Sequence, residues 1–497
     1  MSATPSARSL ARLLAGYGAP APNIEVTGIE LDSRRISPGD LFLACKGQGQ
    51  QHGLAHLEQA LQRGAAAVAW EPASGWACPE VDIPEIAVER LSQRAGEIAA
   101  RFYGEPTRQL FMAGVTGTDG KTSTAYLIAQ ALDRLDRPCA YLGTLGYGRV
   151  GQLATATHTT PDPVSLQRSF AQLLEAGVQA ASMEVSSHAL DQARVAGVHF
   201  DAAVLTNITR DHLDYHGTVE NYAAAKRKLF EHDGLQAIIL NRDDAHGAKW
   251  LAEFGDRVVP YGLDGDVPAS GRYVLGRRLA LKDSGLAFEV DSSWGAARID
   301  SRLLGRFNAY NLLAALAVVL QSGASLARAV EALNLATTVP GRIEGYRGDQ
   351  AAPLVVVDYA HTPQALEQIL RAVRPHTRGK LWCVFGCGGD RDRGKRPLMA
   401  AAAAGLADEL IITDDNPRSE KPEAIVAEIR AGLPAGHPAR VIHDRAAAIT
   451  QAVRAASAAD TVVVAGKGHE EYQIYGNETR HFSDRRFVAD LVGRARQ

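Results

Sequence analysis

Cysteine is scarce and irregularly placed in this chain of 497 residues, which carries only Cys45, Cys78, Cys139, Cys383 and Cys387. An odd, scattered set is a poor disulfide framework and fits a reducing compartment. Cys383 and Cys387 share the apolar run LWCVFGCGG, but no second pair completes a zinc site, and both read as small buried residues. An excess of one charge is also lacking. The formal net charge is −3, so bulk electrostatics give no support for nucleic-acid or membrane-surface binding, and a phosphorylated ligand must be met by local cations. No apolar run approaches the roughly 20 residues that span a bilayer. The opening MSATPSARSLARLLAGYG has a short apolar stretch broken by Arg12, so no signal peptide is expected. A soluble, cytoplasmic protein is expected, with no nucleic-acid partner and no membrane insertion.

What is present is a globular mixture, 46% apolar and 22% charged, able to bury several cores. Domains hold roughly 100–200 residues each, so two to four are expected. The first stretch reads as a small mixed α/β domain, with DLFLACKG and AAAVAW as strands and LAHLEQALQRG as a helix. After GEPTRQ, the apolar LFMAGVTG ends in glycines and meets the helical KTSTAYLIAQALDRL, giving a strand, a glycine loop and a helix. QAASMEVSS, AAVLTNI and QAIIL continue as strands of a mostly parallel sheet. From Val339-Pro340-Gly341-Arg342 onward strands and helices alternate as in a doubly wound α/β domain. The expected boundaries are 1–105, 106–337 and 338–497. DYAHTP, GCGGDRDRGKRP, TDDNPRSE and AGKGHEEYQ fall at strand carboxyl ends, where such sheets bind ligands.

Gly114 to Thr124, GVTGTDGKTST, is a phosphate loop of variant form. Glycines let backbone N–H groups curl around phosphate, and the next helix adds its dipole. Lys121 can reach terminal phosphates and Thr122 can offer a hydroxyl to Mg²⁺. The strict pattern wants glycine where Val115 stands. Gly389 to Lys395, GDRDRGK, is a partial second match in which Arg396 replaces the metal-binding hydroxyl. With Arg391, Arg393 and Lys395 it reads as an anion-binding loop or, failing that, a solvated charged one.

The loop GVTGTDGKT resembles that of the Mur ligases and their relatives, the folylpolyglutamate synthases. LDSRRISPGDLF, MEVSSHAL, NITRDHLDYHG, YAAAKRKLF, GRFNAYNLLAA, VPGRIE, DYAHTP, GCGGDRDRGKRPLM, TDDNPR and AGKGHE match the family in order along nearly the whole chain. The resemblance implies an N-terminal UDP-sugar domain, a central P-loop ATPase-type domain and a C-terminal Rossmann-like domain that docks an amino acid. The last three motifs resemble members that add meso-diaminopimelate to UDP-N-acetylmuramoyl-L-alanyl-D-glutamate. Such members spend ATP on a D-glutamyl acyl phosphate, use Mg²⁺, and imply a monomer here.

Carried over residue by residue, the resemblance implies ATP contacts at Gly117, Thr118, Asp119, Gly120, Lys121, Thr122 and Ser123. It adds Asn308 at the adenine end, Arg342 at the phosphates and Asp358 at the ribose. Lys121, Glu184, His212 and Lys226 would be catalytic. Thr122, Glu184, His212 and a carbamylated Lys226 would support the metal. From the residues alone, Glu184 is equally a strand-end carboxylate and His212 equally a loop imidazole, whereas Lys226 reads as a solvated helical lysine. The UDP-sugar peptide would meet Leu31, Ser33, Thr159, Thr160, Ser186, Gln192 and Arg194. His158 departs from the asparagine that some members carry before the paired threonines. Diaminopimelate would meet Arg391, Asp415, Asn416, Pro417, Arg418, Gly466 and Glu470. The alternatives are a lysine-adding ligase, a folylpolyglutamate synthase and a P-loop NTPase that is no ligase. TDDNPR argues against the first, because lysine has no distal carboxylate for Arg418. LDSRRISPGDLF argues against the second, and the loaded strand ends of the third domain against the last.

Overall fold

The computed structural model describes residues 7–18, 20–47, 49–155, 159–269, 271–348 and 352–493. They divide into two compact units, Met1–Tyr261 with Pro268–Tyr273 and Ala314–Ser325, and Gly262–Val267 with Val274–Leu313 and Leu326–Gln497.

In the first unit, Gly28–Glu30, Asp40–Ala44, Ala67–Trp70 and Glu85–Ala87 form a parallel sheet in chain order. The helix Leu91–Phe102 presents Leu91, Ala95, Ile98, Ala99 and Phe102 to the same core as Leu41 and Leu43, a stripe at helical spacing. Gly96 lets this helix meet the next layer backbone to backbone, since a Cβ there would lie 1.9 Å from the Ala196 carbonyl oxygen.

The larger sheet of this unit runs Val258–Leu263, Ala237–Asn241, Ala202–Leu205, Phe111–Thr116, Ala180–Glu184, Cys139–Gly143 and Gly146–Arg149. All neighbours are parallel except the last pair, a hairpin. Its central strand, Phe111–Thr116, is buried throughout, which explains its unbroken apolar run. Glu184 pairs in register with Val115. That pairing delivers the Glu184 carboxylate to the sheet edge from which the glycine loop leaves.

The second unit holds an antiparallel meander of Val274–Lys282, Gly285–Ser292 and Gly295–Ser301, which the sequence reading did not find. Its other sheet is ordered Glu344–Tyr346, Leu354–Asp358, Thr461–Ala465, Leu381–Phe385, Glu409–Ile412 and Arg440–Val441, parallel except for the first strand. Separate apolar clusters cover its two faces, as a doubly wound sheet requires. Cys383 lies in a strand, whereas Cys387 lies past its end with Sγ 3.6 Å from Met399 Sδ. Burial pushes both thiols up to about 12, so they pack and do not react. The hairpin Tyr472–Tyr475 and Glu478–His481 follows AGKGHE and was likewise not read from the sequence. No helix among the described residues is long and apolar enough to cross a membrane.

Candidate active site

The chain leaves Phe111–Thr116 through Gly117 and Gly120, whose φ values of +148° and +80° suit glycine. A Cβ on Gly117 would lie 1.8 Å from Thr206 Oγ1. Asn207, which the sequence reading did not single out, braces the loop. Its carbonyl accepts from Thr118 N at 2.8 Å, its Oδ1 from Asp119 N at 3.0 Å, and its Nδ2 donates to the Asp119 carbonyl at 3.1 Å. Lys121 opens the helix Lys121–Arg134, which also carries Thr122 and Ser123. Its Nζ donates to the carbonyls of Gly117 at 2.9 Å and Thr118 at 2.8 Å, so the ammonium sits against the loop. Burial pulls its pKa below the usual amine range, opposed by Glu184, Asp119 and Asp211.

Glu184 is almost fully buried, yet hydroxyls and a backbone amide satisfy it. Thr122 Oγ1 donates to Oε2 at 2.8 Å, Thr144 N donates to Oε1 at 2.9 Å, and the Tyr141 hydroxyl also donates to Oε1. A buried carboxylate held by hydroxyl and amide donors beside a phosphate loop is placed to meet a cation. Hard oxygen donors of this kind fit Mg²⁺, which keeps waters and takes phosphate oxygens to complete its shell. His212 stands in a left-handed conformation, φ +50°, with its ring 4.9 Å from that of His188 and 6.2 Å from that of Tyr222. Among the described residues no three His, Cys, Asp or Glu side chains converge as a metal cluster, so Glu184 and His212 form no preassembled cage.

Lys226 corrects the reading of its helix as solvated. Only 1% exposed, it donates from Nζ to the Gly117 carbonyl at 2.7 Å and lies 4.4 Å from the centre of the Tyr222 ring. Burial, then the Lys121 charge, pushes its pKa well below the usual amine range. Tyr222 in turn reaches Thr118, hydroxyl to hydroxyl, at 3.2 Å. Gly117, Thr118, Lys121, Thr122, Glu184 and Lys226 are therefore brought together.

A second group gathers beyond the end of Ala180–Glu184. Thr160 Oγ1 donates to the Glu184 carbonyl at 3.0 Å, and Thr159 Oγ1 lies 3.2 Å from Thr144 Oγ1. Ser186 caps the helix Ser187–Asp191. Arg194 donates to the Thr160 carbonyl at 3.0 Å and, from Nη2, to Gln192 Oε1 at 2.6 Å. Gln192 donates to the Tyr215 hydroxyl at 3.2 Å, which donates to Asp191 at 3.0 Å. Leu31 and Ser33 lie by the small sheet, with Ser33 Oγ donating to Gln59 Oε1 at 2.7 Å. His158 is outside the described residues.

Asp244 ties this architecture to its own helix. One carboxylate oxygen caps Ala245–Phe254, accepting from His246 N and Gly247 N at 3.0 Å each, and the other accepts from Ile208 N at 2.9 Å. Asp244→Ala should cost about 1–2 kcal/mol, read from denaturant midpoints, because the cap and the tether of the segment leading to His212 are lost together. An unchanged midpoint would show the tether to be idle.

In the second unit, Asn308 lies in the first turn of Arg306–Gln321 and is buried. Its Nδ2 donates to the Leu304 carbonyl at 2.7 Å, and its Oδ1 accepts from Asn311 at 2.9 Å. Arg342 is exposed, with its guanidinium 5.2 Å from the centre of the Tyr359 ring. Asp358 is buried and accepts from Ile343 N and Ala360 N at 2.8 Å each, so it braces the backbone beside Arg342. Burial raises its pKa.

The residues predicted for the amino acid meet at strand ends of the same unit. Arg418 has φ +52°, a left-handed conformation costly for a side-chain-bearing residue, and its Nη1 donates to the Gly389 carbonyl at 2.8 Å. Asn416 Nδ2 donates to Glu470 Oε2 at 3.0 Å. Gly466 at φ +120° runs beside Asp415, whose Oδ2 would lie 2.6 Å from a Cβ there. Pro417 passes closer still to Gly389, with its carbonyl oxygen 1.8 Å from the Cβ position. Arg391 is exposed, its Nη1 donating to the Asp390 carbonyl at 3.3 Å. The expected anion-binding loop needs correction around it. Arg396 is fully buried between Glu420 and Glu428, Arg393 pairs with Glu428, and Lys395 donates to the His361 carbonyl at 2.8 Å. Those cations hold the loop in place.

Three family descriptions match the chain. They are the Mur ligase family catalytic domain over 25–103, the Mur ligase middle domain over 115–319, and the Mur ligase glutamate ligase domain over 341–468. A protein of Alkalilimnicola ehrlichii named UDP-N-acetylmuramoyl-L-alanyl-D-glutamate–2,6-diaminopimelate ligase is 50% identical over 479 residues, 94% of this chain and 95% of its own. The chain belongs to the Mur ligase family. A Pseudomonas aeruginosa protein of the same name is 48% identical over 457 residues, covering 92% of this chain and 93% of its own. A solved structure of a Mur ligase with that name superimposes with a TM-score of 0.79 at 37% identity, covering 98% of this chain and 99% of that one. The family's three-domain α/β architecture is thus that of this chain.

Proposed function

We propose that this ligase joins meso-diaminopimelate to UDP-N-acetylmuramoyl-L-alanyl-D-glutamate at the expense of ATP. The observation that carries the reading is the meeting of Arg418, Asn416 and Glu470 at one set of strand ends. A cation and a carboxylate are presented there together, as the zwitterionic distal end of diaminopimelate needs. Residues 1–105 would bind the UDP-sugar, 106–337 ATP, and 338–497 the amino acid. Cytoplasmic placement and a monomeric state complete the reading.

Phosphoryl transfer to the D-glutamyl side-chain carboxylate brings two anions together, so fixed positive charge is required. Lys121 supplies it at the phosphate loop. Thr122 and Glu184 would hold Mg²⁺, with His212 and a carbamate on Lys226 supporting the metal. Bound there, the metal would neutralise phosphate charge. Thr159, Thr160, Ser186, Gln192 and Arg194 would orient the acceptor peptide, with Leu31 and Ser33 at its UDP-sugar end. Asn308, Arg342 and Asp358 would complete the nucleotide contacts. The amine of diaminopimelate then attacks the acyl phosphate, and ADP and phosphate leave.

Amino-acid choice tests the reading. With Arg418 left without its carboxylate, L-lysine should fall behind meso-diaminopimelate in kcat/KM by a factor of about 30 to several thousand, the equivalent of about 2–5 kcal/mol. Arg418→Ala should lose most of that margin through poorer diaminopimelate use, with little change for ATP or the UDP-dipeptide. Equal use of both amino acids by the wild type, or full discrimination by Arg418→Ala, contradicts the assignment.

A further inference from the structure

Lys467 lies between Gly466 and Glu470 in AGKGHE. It is fully buried, and an ammonium removed from water is costly unless it is closely paired. Its Nζ lies 2.9 Å from Glu470 Oε2 and 3.2 Å from Asn416 Oδ1. Asn416 closes the triangle by donating from Nδ2 to the same Glu470 oxygen, and its Oδ1 is fixed by Ile474 N at 3.1 Å. Two donors therefore hold one oxygen of Glu470. Among the described residues no hydrogen bond reaches the other oxygen, and the side chain keeps 18% of its surface exposed.

We propose that Lys467 is a positioning residue that sets the amino-acid specificity of this site. It pins Glu470 so that one oxygen is presented to the substrate ammonium, and it offsets part of the Glu470 charge. The inference rests on the diaminopimelate reading above. The lysine side chain ends in an ammonium alone, and a Glu470 with its full charge free would be a natural counter-ion for it. Lys467 offsets Glu470 and also faces the buried Asp415, so Arg418, whose guanidinium hydrogen-bonds only the Gly389 carbonyl among the described residues, is left for a carboxylate that the ligand brings with its ammonium. Diaminopimelate does so and lysine does not.

The test is kcat/KM for meso-diaminopimelate and for L-lysine in the full-length wild type, Lys467→Met, Glu470→Gln and the double variant. Methionine keeps the length and apolar bulk of lysine without its charge. In Lys467→Met the diaminopimelate-to-lysine ratio should fall by about tenfold or more, chiefly through a higher KM for diaminopimelate, while KM for ATP stays within about twofold of wild type. A merely structural defect would depress both amino acids alike and leave the ratio unchanged, and a ratio within about twofold of wild type overturns the proposal. Should Lys467→Met fail to fold, the double variant removes both partners of the Lys467–Glu470 pair together. Its ratio should coincide with that of Glu470→Gln, because Lys467 acts through Glu470, and a further change of about tenfold overturns the proposal. A wild type that uses neither amino acid overturns the diaminopimelate reading and this inference with it, whereas the ratio outcomes overturn this inference alone.

Discussion

Lys121→Ala should reduce turnover by about 10²–10³ or more in a protein that remains folded. The side chain sits at the mouth of the glycine loop, where its Nζ is held by the carbonyls of Gly117 and Thr118. Asn207 braces the loop independently at Thr118 N and at both backbone groups of Asp119, so removing the lysine side chain leaves that bracing intact. Phosphoryl transfer between two anions depends on such fixed charge, which needs no reorganisation as the reaction proceeds. The loss should appear in kcat with the circular dichroism spectrum and melting curve unchanged. Lys121→Arg keeps the charge but not the compact ammonium that fits between two carbonyls, so it should recover little. Ligation by Lys121→Ala within about tenfold of the wild-type rate would remove the loop from the chemistry.

The glycine loop was legible because its chemistry resides in backbone conformation, which glycine spacing records directly. The parallel core of the first unit was legible for a related reason, since strands buried on both faces spell unbroken apolar runs such as FMAGVT. The meander was not, because VLGRRLALK buries only its first three residues and places charges along the remainder. Partners supplied through tertiary contact were hidden as well. Tyr141 and Thr144 reach Glu184 across neighbouring strands, and Asn207 reaches the loop from the end of another. Nothing local marks any of the three. Burial of cations is equally silent in a sequence. From the residues alone Lys226 reads as solvated and Arg396 as anion-binding, Lys467 draws no reading, and all three are shielded from water. Lys226 stands against the glycine loop, Lys467 against Glu470, and Arg396 holds a loop between Glu420 and Glu428.

Lys226→Ala should likewise lose about 10²–10³ or more in turnover, and short carboxylates such as formate or acetate should restore part of it. The structure supplies two conditions for a carbamate here, burial of the amine and the neutral form that burial favours. The amine is 1% exposed, and neutral amines are the form that combines with carbon dioxide. It also stands against the Gly117 carbonyl, where a negative group could support a metal ion that Thr122 and Glu184 would hold. Carbamylation exchanges a positive charge for a negative one, so the two possible roles of this residue predict opposite substitutions. If Lys226 acts as a cation, Lys226→Arg retains activity and Lys226→Ala is indifferent to carboxylates. If it acts as a carbamate, Lys226→Arg is inactive. Lys226→Gln, which fills the space, resists the rescue that Lys226→Ala allows. Under ¹³C-labelled carbon dioxide, the wild type should then show a carbamate carbonyl resonance that Lys226→Gln lacks. Retained activity in Lys226→Arg, together with the absence of that resonance at full activity, would assign Lys226 as a simple cation beside Lys121.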